Sequence, residues 1–322
     1  MSTRSQVLQF LSDGYFHSGT EMGQSLGMSR AAINKAIKSL TDMGLVIHRV
    51  TGKGYRMIDA TPLLAAAEIR KFVTSPAIAG LHVLDEVDST SRYLLRLASE
   101  TSVAGHVCLA EMQKQGRGRR GREWLATPYS NIMLSMAWQY ATGPGALAGL
   151  SLAAGVAIVE ALNDLGVQEI GLKWPNDILF QNKKLGGVLV DIQGEASGPT
   201  LVVLGVGINI KLQSQHAKEI DQQWTDLHQL GGNLPDRNRL AARLADNLAH
   251  MFETFSEKGF AYYQARWQQL HVYHNQPVRL LLAETEVHGT AQGVDASGAL
   301  RIRDAGGSER VFHSGEVSLR PA

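Results

Sequence analysis

Gln113-Lys114-Gln115-Gly116-Arg117-Gly118-Arg119-Arg120-Gly121-Arg122-Glu123-Trp124 is the stretch on which the fold and function of this chain turn. Four arginines and three glycines fall between positions 116 and 122. The stretch has neither helical nor strand periodicity, and glycines disfavour the interiors of both. It is predicted as a flexible, strongly cationic loop. Glycine lets backbone N–H groups approach an anion, and arginine presents paired donors to phosphate. Alone, such a loop suits an RNA-binding basic tract or a plain solvated loop equally well.

Downstream, an apolar helical stretch at 150–165 leads to Lys173-Trp174-Pro175-Asn176-Asp177. Ile178-Leu179-Phe180, a Gln181-Asn182-Lys183 turn and Lys184-Leu185-Gly186-Gly187-Val188-Leu189-Val190 then predict a β-hairpin with a lysine at the start of its return strand. Asp177 can hold Mg²⁺ or fix Lys184, and Lys184 can neutralise a carboxylate or an α-phosphate. The plainer alternatives are a turn acid and an edge-strand lysine. Further on, residues 201–204 run into Gly205-Val206-Gly207-Ile208-Asn209. Alternate glycines on a strand share one face, where a ligand can press against the backbone, and Asn209 can bond a ribose or phosphate. Upstream, Asp88-Ser89-Thr90-Ser91 reads as a helix cap whose N–H and hydroxyl groups can also serve a small polar ligand.

The N-terminal 60 residues form a separate helical unit. They carry seven Lys/Arg (Arg4, Arg30, Lys35, Lys38, Arg49, Lys53, Arg56) against four acids (Asp13, Glu21, Asp42, Asp59), an excess of three positive charges. Val7, Leu8, Phe10 and Leu11 line one face of a first helix. A second follows Ser18, and a Gly27-Met28 turn leads to Ser29 as N-cap of a third. Ile33, Ile37 and Leu40 form the third helix's buried stripe, with Gly44 as its stop. A hairpin over 45–58 turns at Thr51-Gly52-Lys53-Gly54. Helix, helix, turn, basic helix and hairpin predict a winged helix-turn-helix whose third helix enters the major groove. Asn34 is placed to read a base edge, and Arg30, Lys35, Lys38, Arg49 and Lys53 to contact phosphates. From about Pro277, short strands at 278–282, 287–294, 299–303, 310–312 and 317–320, separated by Gly turns, predict a small all-β appendix.

The bulk numbers bound these readings. The chain has 322 residues, 44% hydrophobic and 19% charged, a composition of folded domains rather than disorder. One cysteine, Cys108, excludes an internal disulfide and a multi-cysteine metal site. A net charge of +1 confines any nucleic-acid binding to a local patch. No apolar signal region follows Met1-Ser2-Thr3-Arg4-Ser5, and no apolar run is expected to cross a bilayer, so the expected location is the cytoplasm, away from membranes.

Taken in order, these segments resemble the biotin–protein ligase family, and in particular its bifunctional members that also repress the biotin operon. The resemblance covers nearly the whole chain. It implies a multidomain α+β fold: a winged helix-turn-helix (1–60), a linker helix (61–80), a mixed α/β catalytic domain of the class II synthetase-like biotin/lipoate ligase type (81–272) and a small SH3-like β-barrel (273–322). It implies formation of biotinyl-5′-AMP from biotin and ATP with Mg²⁺, then transfer of biotin to a lysine of a biotin carboxyl carrier protein. It also implies operator DNA as a partner and a homodimer when the adenylate is bound.

The family's biotin and adenylate site maps onto Ser89, Thr90, Ser91, Gln113, Gly116, Arg117, Gly118, Arg119, Arg120, Lys173, Trp174, Asn176, Lys184, Gly187, Gly205, Gly207, Asn209 and Trp224. Lys184, Arg119 and Asp177 take the catalytic roles, with Asp177 on the metal side. Residues 211–224 match a loop that orders over adenine. Ser91 departs from the pattern, standing where many relatives carry the longer asparagine.

Overall fold

The computed structural model describes residues 2–58, 62–212, 222–231, 235–282, 285–314 and 318–321. Helices α1 (Thr3–Leu11), α2 (Gly19–Leu26) and α3 (Arg30–Asp42) precede a hairpin of β1 (Ile47–Val50) and β2 (Gly54–Met57). Each helix starts where a serine can cap it. The side chains of Ser2, Ser18 and Ser29 accept from the N–H groups of Ser5, Glu21 and Ala32. Gly27 ends α2 at φ 64°, a left-handed conformation that costs glycine little. Val7, Leu8, Leu11, Met22, Ile33, Ile37 and Leu40 close a small core under the hairpin. This is the winged helix expected from the sequence.

The span 61–80 was expected to be a linker helix, but Thr61 lies outside the described residues and only α4 (Ala66–Arg70) is helical. The N–H groups of Thr74 and Ser75, which a longer helix would turn inward, donate instead to the Asp246 carboxylate. At the crossing, the buried Arg237–Glu111 ion pair (2.6 Å) gathers the segments. Glu111 accepts from Leu64 N–H, while Arg237 donates to the carbonyls of Pro62, Tyr129 and Asn131. The Tyr129 ring belongs to the winged helix's core, so this junction sets how that unit sits on its neighbour.

Seven strands form the central sheet: β3 (Gly80–Val87), β4 (His106–Gln113), β5 (Ile132–Tyr140), β6 (Ile170–Lys173), β7 (Asp177–Phe180), β8 (Lys183–Gly194) and β9 (Thr200–Ile208). Their order is β3-β4-β5-β9-β8-β7-β6. β3 and β4 are parallel, joined through α5 (Thr90–Leu97), and every other pair is antiparallel. Helices α6 (Leu150–Asn163), α7 (Arg237–Lys258) and α8 (Ala261–Leu270) pack with one face of the sheet, and α5 with the other.

Strand β9 shows how the sequence divides these faces. Val202, Leu204, Val206 and Ile208 enter the main core, while Val203, Gly205 and Gly207 turn toward α5. The stretch Pro144–Asn163, with mean hydropathy 1.9, does reach the length and composition of a membrane span, contrary to the expectation above. Its burial between the sheet and α7 and α8 accounts for that composition.

The C-terminal unit has strands β10 (Pro277–Leu281), β11 (Glu286–Val294), β12 (Leu300–Arg303), β13 (Glu309–Phe312) and β14 (Ser318–Pro321), in the order β13-β12-β11-β10-β14. Among the described residues β13 and β14 are the open edges of an SH3-like ladder. Val278, Leu280, Ala291, Leu300 and Leu319 join the main core, and Trp174 Nε1 donates to Gly298 O at 3.0 Å. The unit is thus packed onto the central domain through a shared apolar core.

Candidate active site

The sheet face carrying α5 holds a cleft of about 520 Å³. One wall is built from hydroxyls and an amide. Gln113, at the end of β4, accepts through Oε1 from Thr90 N–H (2.8 Å) and Thr90 Oγ1 (3.1 Å) at the start of α5. Ser135, in mid β5, sits 2.7 Å from Thr90 Oγ1 and 3.0 Å from Ser91 Oγ. Ser91 therefore reaches into the network despite its short side chain. Gly205 is the neighbour that permits this, since a Cβ there would lie 3.0 Å from Ser91 Oγ.

The opposite wall is charged. Asp177 Oδ2 meets Lys173 Nζ at 2.6 Å and Asp177 Oδ1 meets Lys184 Nζ at 2.7 Å. The hairpin explains the geometry. Lys173 and Asp177 are register partners on β6 and β7, and Lys184 pairs on β8 with Leu179, two residues along β7 from Asp177. Burial opposes ionisation of Asp177, but Lys184 and Lys173 outweigh it and hold the carboxyl at about 2. Burial pulls the Lys173 ammonium below the ordinary lysine value, with Asp177 working against that shift. Lys173 is thus a counter-charge inside the wall, while Lys184 is the ammonium nearer the opening.

The arginine loop folds back on itself between these walls. Trp124 N–H donates to Gly116 O (2.9 Å) and Gly118 N–H to Arg122 O (2.8 Å). Arg117 pairs with Asp191 at 2.7 Å. Arg119 donates to Asn176 Oδ1 (3.4 Å) and to Ser314 O of the C-terminal unit (2.9 Å), and Asn176 Nδ2 donates to Val188 O (2.8 Å). Arg120 stands at φ 60° and is exposed.

Trp124 is a cleft residue that the sequence did not single out. Gly187 and Gly207 are register partners on β8 and β9, and together they leave a ring-sized gap. The Trp124 indole fills it. A Cβ on Gly207 would lie 2.5 Å from the ring, and Lys184 Nζ stands 5.6 Å from the ring centroid, a cation–π distance.

Most of the residues expected at the site converge here. Ser89, Thr90, Ser91, Gln113, Arg117, Gly118, Arg119, Arg120, Lys173, Trp174, Asn176, Asp177, Lys184, Gly187, Gly205, Gly207, Asn209 and Trp224 all line the cleft. Gly116 does not, because its Cα packs beneath the Trp124 carbonyl. The Trp174 indole runs into the core rather than toward the opening. Trp224 is held beside Lys184 by backbone bridging, and Asn209 Nδ2 donates to Thr225 O. Much of the expected adenine loop, residues 213–221, lies outside the described residues.

The lining also includes Ser135 and, from β14, Arg320. Ser135 had a readable signal, a hydroxyl in the middle of an apolar strand. On the winged helix, the side chains of Arg30, Asn34, Lys35, Lys38, Arg49 and Lys53 are all exposed. Asn34 accepts from Tyr55 OH at 2.6 Å.

Comparison with known proteins places this architecture. Residues 83–209 match the biotin/lipoate A/B protein ligase family, 273–320 the biotin protein ligase C-terminal domain, and 3–56 an HTH domain. The bifunctional ligase/repressor BirA of Escherichia coli is 40% identical over 98% of this chain and 97% of its own length. Its namesake in Bacillus subtilis is 28% identical over 94% of each chain. A biotin protein ligase from Aquifex aeolicus, solved with biotin and ATP, superposes with a TM-score of 0.64 at 29% identity, covering 76% of this chain and all of that one. Identity at this level along almost the entire length means that the chain belongs to the biotin protein ligase family, with the helix-turn-helix of its bifunctional ligase/repressor members.

Proposed function

We propose that this protein is an ATP-dependent biotin–protein ligase that makes biotinyl-5′-AMP, passes biotin to a lysine of a biotin carboxyl carrier protein, and represses transcription through its winged helix. The observation that carries the reading is the opposition of two walls across one cleft. A neutral wall of Thr90, Ser91, Ser135 and Gln113 suits the polar head of a small ligand. A cationic wall of Lys184, Arg119 and Arg320 suits a carboxylate and phosphates. Two buried donors of the loop, Arg117 Nε and Trp124 Nε1, have no hydrogen-bond partner among the described residues, which costs about 1–3 kcal/mol apiece until an acceptor arrives.

In the first step the biotin carboxylate attacks the α-phosphorus of ATP and pyrophosphate leaves. Charge gathers on phosphate oxygens, so fixed cations serve better than a covalent nucleophile. Lys184 and Arg119 supply them in this assignment, and Asp177 holds Lys184 in place. Asp177 has both oxygens on ammonium groups, and the described residues contain no cluster of three or more metal-ligating side chains. We therefore assign Mg²⁺ to the incoming triphosphate, where it neutralises charge, rather than to a resident protein site.

In the second step the acceptor lysine attacks the activated carbonyl and AMP leaves. An Asp177 held at about 2 is a standing counter-charge and a poor proton acceptor. The arginine loop covers the mixed anhydride and keeps water from it. We assign the units as 1–60 for DNA, 61–80 as connector, 81–272 for catalysis and 273–322 as the β appendix. We also assign a cytoplasmic location, and a homodimer once the adenylate is bound.

The test is incubation with labelled ATP and either biotin or lipoate. A biotinyl-adenylate that forms with biotin alone is expected. A lipoyl-adenylate, or no adenylate, overturns the reading.

A further inference from the structure

Tyr55 lies in the wing, yet its hydroxyl ends on the recognition helix. Its OH donates to Asn34 Oδ1 at 2.6 Å. The donor is rigidly placed. Tyr55 N–H and C=O both pair with His17 at 2.9 Å, fastening the wing to the loop before α2. The ring is 7% exposed and packs on Gly19, where a Cβ would stand 3.3 Å from it. The Arg49 guanidinium lies 5.8 Å from its centroid. Asn34 itself is exposed on α3.

We propose that Tyr55 is a positioning residue that sets which base Asn34 selects, by engaging the amide oxygen and leaving the Nδ2 donors to face the groove. This rests on the DNA-binding function proposed above. An unrestrained asparagine pairs bidentately with adenine, accepting from N6 and donating to N7. With Oδ1 engaged by the phenol, the outward group is a donor. It matches edges that carry acceptors, guanine N7 and O6 or thymine O4, better than the mixed edge of adenine. The wing thus acts on the base code without touching a base.

The experiment uses the full chain loaded with biotin and ATP, and a duplex library with a randomised core. Wild type, Tyr55→Phe, Asn34→Ala and Lys35→Ala are each put through selection and sequencing. Adenylation by Tyr55→Phe at the wild-type rate shows that the rest of the molecule is intact. Wild type is expected to favour guanine or thymine at one position of each half-site, and Asn34→Ala to flatten that position alone. Tyr55→Phe keeps the ring but frees the amide, and should move the same position toward adenine by about fivefold or more, the scale of one good base contact. Lys35→Ala should weaken all sequences evenly. A Tyr55→Phe preference identical to wild type at the position that Asn34→Ala flattens overturns the proposal. So does a wild-type preference for adenine there. A wild-type protein that enriches no sequence removes the DNA-binding function itself, and this inference with it.

Discussion

Replacing Asp177 with asparagine separates two roles that one carboxylate combines. Asp177 is 8% exposed and touches Lys173 Nζ at 2.6 Å and Lys184 Nζ at 2.7 Å. Asparagine keeps the shape and one acceptor oxygen but withdraws the charge. Lys173, also 8% exposed, is then a buried ammonium without a counter-ion. Breaking a buried pair in this way costs about 3–5 kcal/mol. Burial already pulls Lys173 below the ordinary lysine value, so part of that cost is met by release of its proton. Lys184 stands nearer the opening and loses its anchor rather than its solvation. Adenylation should fall by about 10²–10³-fold, the scale of a misplaced donor to developing charge.

A cycle of Lys173→Met, Asp177→Asn and the double variant distinguishes the two effects. Stability is read by denaturant unfolding near neutral pH and chemistry by single-turnover formation of biotinyl-AMP. The double variant removes both buried charges and should regain most of the lost stability, because it no longer leaves a buried ammonium without its counter-charge. It should stay slow, because Lys184 remains unanchored. A double variant that adenylates at the wild-type rate refutes the role of Asp177 in placing Lys184. An Asp177→Asn protein as stable as wild type refutes the account of the buried pair.

Other sites give independent checks. Burial lowers the His271 imidazole to about 3 from 6.5, so the unfolded chain takes up a proton there before the folded one does. The contribution of His271 to stability is therefore complete above about pH 6.5 and lost as pH falls toward 3, by about 3 kcal/mol at roughly pH 4.5. His271→Phe should flatten that slope in acid titrations followed by calorimetry, and an unchanged slope counts against it. Gly207→Ala puts a Cβ 2.5 Å from the Trp124 ring, which must leave its seat. At about 1–3 kcal/mol of overpacking, biotin affinity by titration calorimetry should drop several-fold or more, and equal affinity contradicts the assignment. Glu111→Gln leaves the Arg237 guanidinium, 1% exposed, without its partner, and should cost about 3–5 kcal/mol in denaturant unfolding. An effect below 1 kcal/mol, within the usual range of exposed pairs, would show that water already reaches that junction.

The parts legible in the sequence are those where chemistry is written in consecutive residues. Serine caps, the Ile33/Ile37/Leu40 stripe and the Gly27 stop define the winged helix because local bonds decide them. The stretch from Lys173 to Lys184 was readable as hairpin strands, and the two successive hairpins β6–β7 and β7–β8 bring both ammonium groups within reach of one carboxylate. What stayed hidden depends on pairing across the sheet. Gly187 and Gly207 are twenty residues apart, and only their register shows that they open a seat for Trp124. Trp174 lines the cleft, and only the tertiary structure shows that Gly298, far along the chain, takes its indole N–H. The helix of the linker span is shorter than expected for a similar reason, since Asp246 on α7 takes N–H groups that a longer helix would have used.

The cleft spreads its positive charge over parts of unequal rigidity, and that division suits a two-step transfer. Lys173 and Lys184 stand on sheet strands, braced by a carboxylate that remains ionised at any ordinary pH. Their field is present before substrate enters and does not need to be reorganised during reaction. Arg119 stands on a loop whose neighbours Arg120, Gly121 and Arg122 are exposed, and its contacts reach to Asn176 and to Ser314 in another unit. Such a group can withdraw without disturbing the sheet. A mixed anhydride must be sheltered from water while it waits, yet opened to an amine on a second protein. A cleft made wholly of strand residues would shelter it and block the acceptor, and one made wholly of loop would admit water with the acceptor. In the assignment proposed above, placing the activating charge on strands and the covering charge on the loop would let the loop open over the carbonyl while Lys184 kept its hold on the phosphate.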